Sequence, residues 1–186
     1  MAQSYEEMDA IAMLKADHRK VEEIFAQFEK ARGLERKRAL AEQACLELKV
    51  HTVIEEEIFY PACRGADVEK DLIDEAFVEH DAAKTLINEI EAGGPEEEFY
   101  DAKVKVLSEM IEHHVEEEEK RSEGMFSQAR AAGLDMDELA DQMRLRKRSA
   151  MEEFQAGKPA ETRTMEGDDI ESARAETPFG EGAETR

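Results

Sequence analysis

The 186-residue chain has no tryptophan, two cysteines, four prolines and little more than half as many basic as acidic residues. It also lacks any run near the roughly 18 apolar residues that a bilayer-spanning helix needs, so a membrane-spanning helix is not expected. Cys45 and Cys63 stand in neither CxxC nor zinc-finger spacing, which excludes a disulfide framework and a thiolate zinc site and leaves them as small core hydrophobes. Against 47 Asp and Glu there are only 25 Lys and Arg, a net charge of −22. Nucleic acid and anionic lipid are polyanions, so this balance argues against both as partners and favours cations or basic proteins. Residues 1–9 are polar and acidic rather than basic and then apolar, and a cytoplasmic protein is expected.

What remains is helix-forming. Between Pro61, Pro95, Pro159 and Pro178 the chain is rich in Ala, Glu, Lys and Leu, and 41% of its residues are hydrophobic, enough for one modest core. The pattern predicts helices over 6–31, closed by Gly33, and over 35–60, ending near Pro61 and Gly65. A third is expected over 68–92. Gly93, Gly94 and Pro95 break it, and a fourth then runs over 96–131 to Gly133. A shorter helix over 136–151 ends in Arg144, Arg146, Lys147 and Arg148, a basic cluster that suits a negative helix C-terminus. The predicted fold is all-α: an antiparallel up-down-up-down four-helix bundle over 1–131, an additional C-terminal helix over 132–151, and a disordered acidic tail over 152–186. That tail is a candidate segment for a protein partner.

At 100° per residue, four of the five histidines fall inside apolar stripes. His18 lies among Ile11, Leu14, Val21, Phe25 and Phe28. His51 and Glu55, one turn apart, share the face of Leu48, Ile54 and Ile58. His80 is surrounded by Ile73, Phe77, Ala83 and Ile87, and His114 and Glu118 straddle the centre of a face marked by Leu107, Met110 and Ile111. His113 and Glu117 form the same i, i+4 pair about 80 to 100° off that centre, as a flank. One inward histidine is ordinarily a hydrogen-bonded core residue. Four, on four helices, arise by chance with a probability of order ~1% if the stripe takes a third of each helix.

Two buried glutamates among four imidazoles call for a positive charge, because an unpaired buried carboxylate is costly. Imidazole and carboxylate without thiolate suit iron, zinc, manganese or nickel. Four nitrogens and four carboxylate oxygens are too many for one ion but suit two, bridged by both glutamates and by an oxo or hydroxo oxygen, with one position open on each. Open positions on a redox-active pair are what dioxygen, nitric oxide or peroxide needs. Around this set, Glu22 is a stripe-edge residue that can back His18 or substitute as a ligand. Tyr60 reaches the metals only if the helix bends near Pro61, since a regular helix sets it about 140° from Glu55. Lys84 is expected to extend its ammonium to water. Glu56, Glu57, Glu116, Glu117 and Glu119 are expected to form a solvated face.

The stretches LKADHRKVEEIF, LKVHTVIEEEIFYP, AFVEHDAAKTLI and LSEMIEHHVEEEE, in that order, resemble the hemerythrin-like HHE cation-binding family over roughly residues 8–130. The resemblance implies a four-helix bundle holding two iron ions on His18, His51, Glu55, His80, His114 and Glu118. Oxygen-carrying members have a further histidine where this chain has Lys84, and an aspartate five residues after the last histidine, where this chain offers Glu118 at i+4 and Glu119 at i+5. The pattern therefore resembles the non-carrier branch. The leading expectation is a di-iron protein with catalase-like breakdown of hydrogen peroxide. The alternative is a module that binds or senses oxygen, nitric oxide or iron without turnover, and a metal-free helical adaptor requires the inward histidines to be accidental.

Overall fold

The computed structural model describes residues 5–162. All regular structure among them is helical: α1 (Ala10–Lys30), α2 (Leu34–Ile54), a π turn (Glu55–Phe59), α3 (Tyr60–Gly65), α4 (Lys70–Ala92), α5 (Tyr100–Glu119), α6 (Met125–Ala131) and α7 (Met136–Gln155), after a single 3₁₀ turn at Tyr5–Glu7. None of these helices is long and apolar enough to cross a membrane.

α1 packs on α2 and α5, α2 on α4, and α4 on α5, so these four close a ring, and α7 lies outside against α1 and α2. Two apolar clusters fill the ring. One gathers Leu14, Ile54, Phe59, Tyr60, Ile73 and Met125, and the other gathers Val21, Phe25, Leu48, Ile87, Leu107 and Ile111. Each fully buried side chain of this size contributes about 1.5–3 kcal/mol. Along α1, α2 and α4 a buried histidine separates a segment in one cluster from a segment in the other, and in α5 His114 sits near the end of the second-cluster segment, which closes with Val115 before α6 enters the first. The polar layer is therefore held between two dry ones.

Several boundaries differ from expectation, each for a local reason. α1 begins at Ala10 because Asp9 caps it, its carboxylate accepting from the Ala12 N–H at 2.8 Å. The single helix expected over 35–60 is interrupted by the π turn, in which the Tyr60 N–H bonds back to the Glu55 carbonyl. The helix expected over 96–131 starts only at Tyr100 and breaks at Lys120–Gly124. At Gly124 the chain folds back on the end of α5 so closely that a Cβ would sit 2.5 Å from the Glu118 carbonyl oxygen, which excludes any side chain there. The fold-back brings Met125 and Phe126 of α6 into the first cluster.

α7 runs to Gln155 rather than stopping at Met151, since Ala150 and Phe154, one turn apart, pack on Val50 of α2. The basic cluster consequently sits inside the helix and ties it to the bundle. Arg144 donates to the Met8 carbonyl, Arg146 grips Glu57 at 2.6 Å, and Lys147 pairs with Asp17. Beyond α7, Ala160 is buried, exchanging hydrogen bonds with Asn88 through its N–H and carbonyl. The rest of the expected tail, 163–186, lies outside the described residues.

Candidate metal centre

The six inward residues meet. His18 Nε2 lies 3.0 Å from His51 Nε2, and His80 Nε2 lies 3.2 Å from His114 Nε2. The two carboxylates join these pairs. Glu55 Oε2 is 3.1 Å from His51 Nε2 and 3.4 Å from His80 Nε2, while Glu118 Oε2 is 3.5 Å from both His18 Nε2 and His114 Nε2. The result is a closed ring of donors, His18–His51–Glu55–His80–His114–Glu118, in which every member is at most 5% exposed. His113 stays outside on the flank, its side chain 60% exposed, and Glu22 turns to Arg19 at the edge of the bundle, away from the imidazoles.

Behind each imidazole stands a carboxylate that the sequence reading assigned to solvent or passed over. Glu119 accepts from His18 Nδ1 at 2.9 Å, Glu56 from His80 Nδ1 at 3.0 Å and Glu79 from His114 Nδ1 at 2.7 Å. Asp17 faces His51 Nδ1 at 3.6 Å, an ion-pair rather than a hydrogen-bond distance. With the proton held on Nδ1 by a carboxylate, the Nε2 lone pair is the one turned to the ring. Each of these four carboxylates is adjacent in sequence to a ring residue but serves the histidine of a neighbouring helix: α1 backs α2, the π turn backs α4, α4 backs α5, and α5 backs α1. An acid directly beside four of the six ring residues, His18, Glu55, His80 and Glu118, was the available signal.

Glu56 is buried, 4% exposed, and Lys84 does not reach water: at 4% exposure it pairs with Glu56 at 2.6 Å and Asp81 at 3.3 Å. Glu119 is only partly exposed and is bound to His18. Tyr60, which a regular helix would carry away, is drawn in by the wider π turn, five residues after Glu55. Its O–H donates to Glu118 Oε1 at 2.9 Å and lies 3.3 Å from both Glu55 Oε2 and His80 Nε2. Burial, then the charges of Glu118 and Glu55, raise its pKa well above the ordinary value, so it remains a phenol.

The ring attracts positive charge. Burial opposes a charged His51, but Glu55 and Asp17 outweigh it and push the pKa to about 10; for His114 burial is likewise outweighed, by Glu118 and Glu79, to about 9. Their partners go the other way, His18 down to about 4 and His80 also down, chiefly by burial. Burial and the charge of Glu55 raise Glu118, whereas Glu55, though burial works to raise it, is held well below the usual carboxylate range by His51 and His80. One positive charge per imidazole pair is thus favoured. Glu55 Oε1 and Glu118 Oε2 are buried without a hydrogen-bond partner, a costly state that a cation relieves. The donor atoms fall into two metal-sized groups, His18, His51, Glu55 and Glu118 in one and Glu55, His80 and His114 in the other, each within 4.8 Å. The residues fit a cation pair.

The sequence profile of the hemerythrin HHE cation-binding domain matches residues 9–126. The chain belongs to this family. An HHE protein of known structure, the hemerythrin HHE cation-binding domain-containing protein of Mycobacterium kansasii, superposes with a TM-score of 0.65 at 23% identity, covering 78% of this chain and 88% of that one. That likeness carries the fold, and this HHE chain is hemerythrin-like in architecture. A DNA nickase of Nostoc sp. is 26% identical over 114 residues, 61% of this chain and 32% of that protein. The HHE chain thus spans about a third of the length of that relative.

On the side of the second cluster, the four imidazoles with Val21, Leu48, Ile111 and Val115 line a void of about 10 Å³. That is the space of about one water-sized probe. Ile111 and Val115 also form part of the floor of an open groove of about 680 Å³ between α1 and α5, rimmed by Glu22, Glu29, Glu112 and Glu116. On the other side Phe126 stacks on the His18 ring at 5.8 Å and meets Phe59 edge-on at 5.5 Å, which keeps that face dry.

Proposed function

We propose that this HHE protein binds two iron ions on His18, His51, Glu55, His80, His114 and Glu118, with Glu55 and Glu118 each shared between the ions, and that it breaks down hydrogen peroxide in a catalase-like way. The observation that carries the reading is the closed ring, in which each carboxylate touches one histidine of each pair. The reading includes an antiparallel up-down-up-down order for α1, α2, α4 and α5, supported by the way successive helices meet the two apolar clusters in alternating order.

Bound there, a redox-active pair supplies the electron exchange and open positions that peroxide disproportionation needs. The chain's own groups do the rest. Glu119, Asp17, Glu56 and Glu79 keep the proton on Nδ1 of each imidazole, or hold a charge facing it, and so orient Nε2. Tyr60 holds Glu118 Oε1 through its O–H and keeps a transferable proton inside the ring, at a phenol oxygen within reach of both carboxylates. The void beside the imidazoles has room for about one water-sized molecule, and Ile111 and Val115 stand between it and the outer groove.

The test is iron quantitation followed by oxygen evolution from added peroxide, in the wild type and in His51→Ala. Two irons per chain with evolution lost in the variant supports the reading, while iron-loaded wild type that evolves no oxygen sinks it. A second reading, a module that binds a small diatomic ligand or senses iron without turnover, is favoured by the smallness of the void, and saturable binding with no oxygen evolution identifies it. The net charge of −22 disfavours DNA, so the reading does not extend to nicking.

A further inference from the structure

Three of the four carboxylates behind the imidazoles are neutralised by a fixed side-chain cation: Asp17 by Lys147, Glu56 by Lys84, and Glu119 by Arg19 and Lys15. Glu79 is the exception. Its Oε2 accepts from His114, and its Oε1 faces only His113 Nε2, at 3.6 Å. One turn after His113, Glu117 presents Oε1 to the same nitrogen at 3.8 Å. Among the described residues neither carboxylate pairs with a lysine or arginine, and the nearby ammonium of Lys120 is engaged by Glu123 at 2.8 Å.

We propose that Glu79, His113 and Glu117 form a third, surface site for a divalent transition-metal cation, distinct from the buried ring. The three ligand atoms, from α4 and α5, lie within 4.8 Å of one another. A cation at about 2.1 Å from each donor places the donors about 3.0–3.5 Å apart, a few tenths of an ångström inside the 3.6 and 3.8 Å separations here. The His113 side chain, 60% exposed, has room to adjust to an ion held with Glu79 and Glu117. One imidazole with two carboxylates suits zinc, ferrous, manganous or cobaltous ions rather than calcium or copper(I). The open side leaves the remaining positions to water, so the ion is exchangeable, unlike one enclosed by the ring. It also supplies behind Glu79 the positive charge that lysine or arginine supplies behind the other three. This is the second HxxxE register of α5, the pair that the apolar stripe leaves on the flank.

The full chain, as purified with its buried metal, is titrated with zinc by calorimetry. The expected result is one further equivalent bound, with the affinity reduced about tenfold or more in His113→Ala and in Glu117→Gln and retained in Glu112→Gln, an exposed neighbour. Absence of that event in the wild type, or unchanged affinity in His113→Ala, overturns the proposal. Zinc binding that depends on His113 in a chain found to hold no buried metal would uphold this site while refuting the iron centre, so the two failures are distinguishable.

Discussion

Tyr60 and Glu118, 58 residues apart, share a 2.9 Å hydrogen bond that exists only because the turn from Glu55 to Phe59 is π rather than α. The extra residue in the turn brings the tyrosine round to the face of Glu55 and over both carboxylates. π turns inserted into α-helices are frequent at functional sites, and this one delivers the only phenol in the centre. Tyr60→Phe keeps the packing and removes the proton. Metal content is expected to stay at the wild-type value while oxygen evolution from peroxide falls roughly 10²-fold. Unchanged turnover would reduce Tyr60 to a support for Glu118.

Lys84 and Glu56 are both about 4% exposed, so neither charge survives alone. Lys84→Met is expected to destabilise the fold by about 3–5 kcal/mol, because it removes the ammonium shared by two buried carboxylates, Glu56 and Asp81. Adding Glu56→Gln removes one of those two charges and keeps an acceptor for His80 Nδ1, and the double variant should regain part of the loss. Guanidinium melts of the four combinations measure the coupling.

Metal removal should lower the melting temperature. With free metal at 100 times the dissociation constant, one site that exists only in the folded chain contributes about 2.7 kcal/mol, worth roughly 5–10 °C in a chain of this length. Scanning calorimetry with and without a chelator, at several metal concentrations, should show the midpoint climbing with metal. A midpoint independent of metal would contradict binding to the folded state.

Asp9 caps α1 and meets Arg130 at 2.7 Å. Burial works to raise its pKa, but the Ala12 N–H and Arg130 prevail and hold it below the ordinary 3.8. A folded pKa below the unfolded one means the stabilisation is whole above 3.8 and is lost as pH falls through the folded value. Asp9→Ala is therefore expected to cost about 1 kcal/mol at neutral pH, and the difference from wild type should shrink below pH 3.8 in parallel urea melts.

The inward residues His18, His51, Glu55, His80, His114 and Glu118 were legible because each obeys the helical period of its own segment, and the family resemblance rested on the same residues. Tyr60 was not, since a constant 100° per residue has no means of announcing a π turn. Asp17, Glu56, Glu79 and Glu119 escaped for a different reason: on its own helix each points away from the apolar stripe, and its partner is visible only once the neighbouring helix is in place. Lys84 looked like a snorkelling lysine because Glu56, which buries it together with Asp81, looked like a surface acid. Gly124 gave a fair warning of the break after α5, but the good helix formers around it masked the signal.

The cyclic arrangement, in which every helix shields the imidazole of another, makes the centre a property of the whole assembly. Any fragment missing one helix leaves one imidazole with its proton unassigned and one acid without a task. High-affinity capture of metal should therefore arrive in a single step late in folding, and local fraying of any one helix should release the cargo.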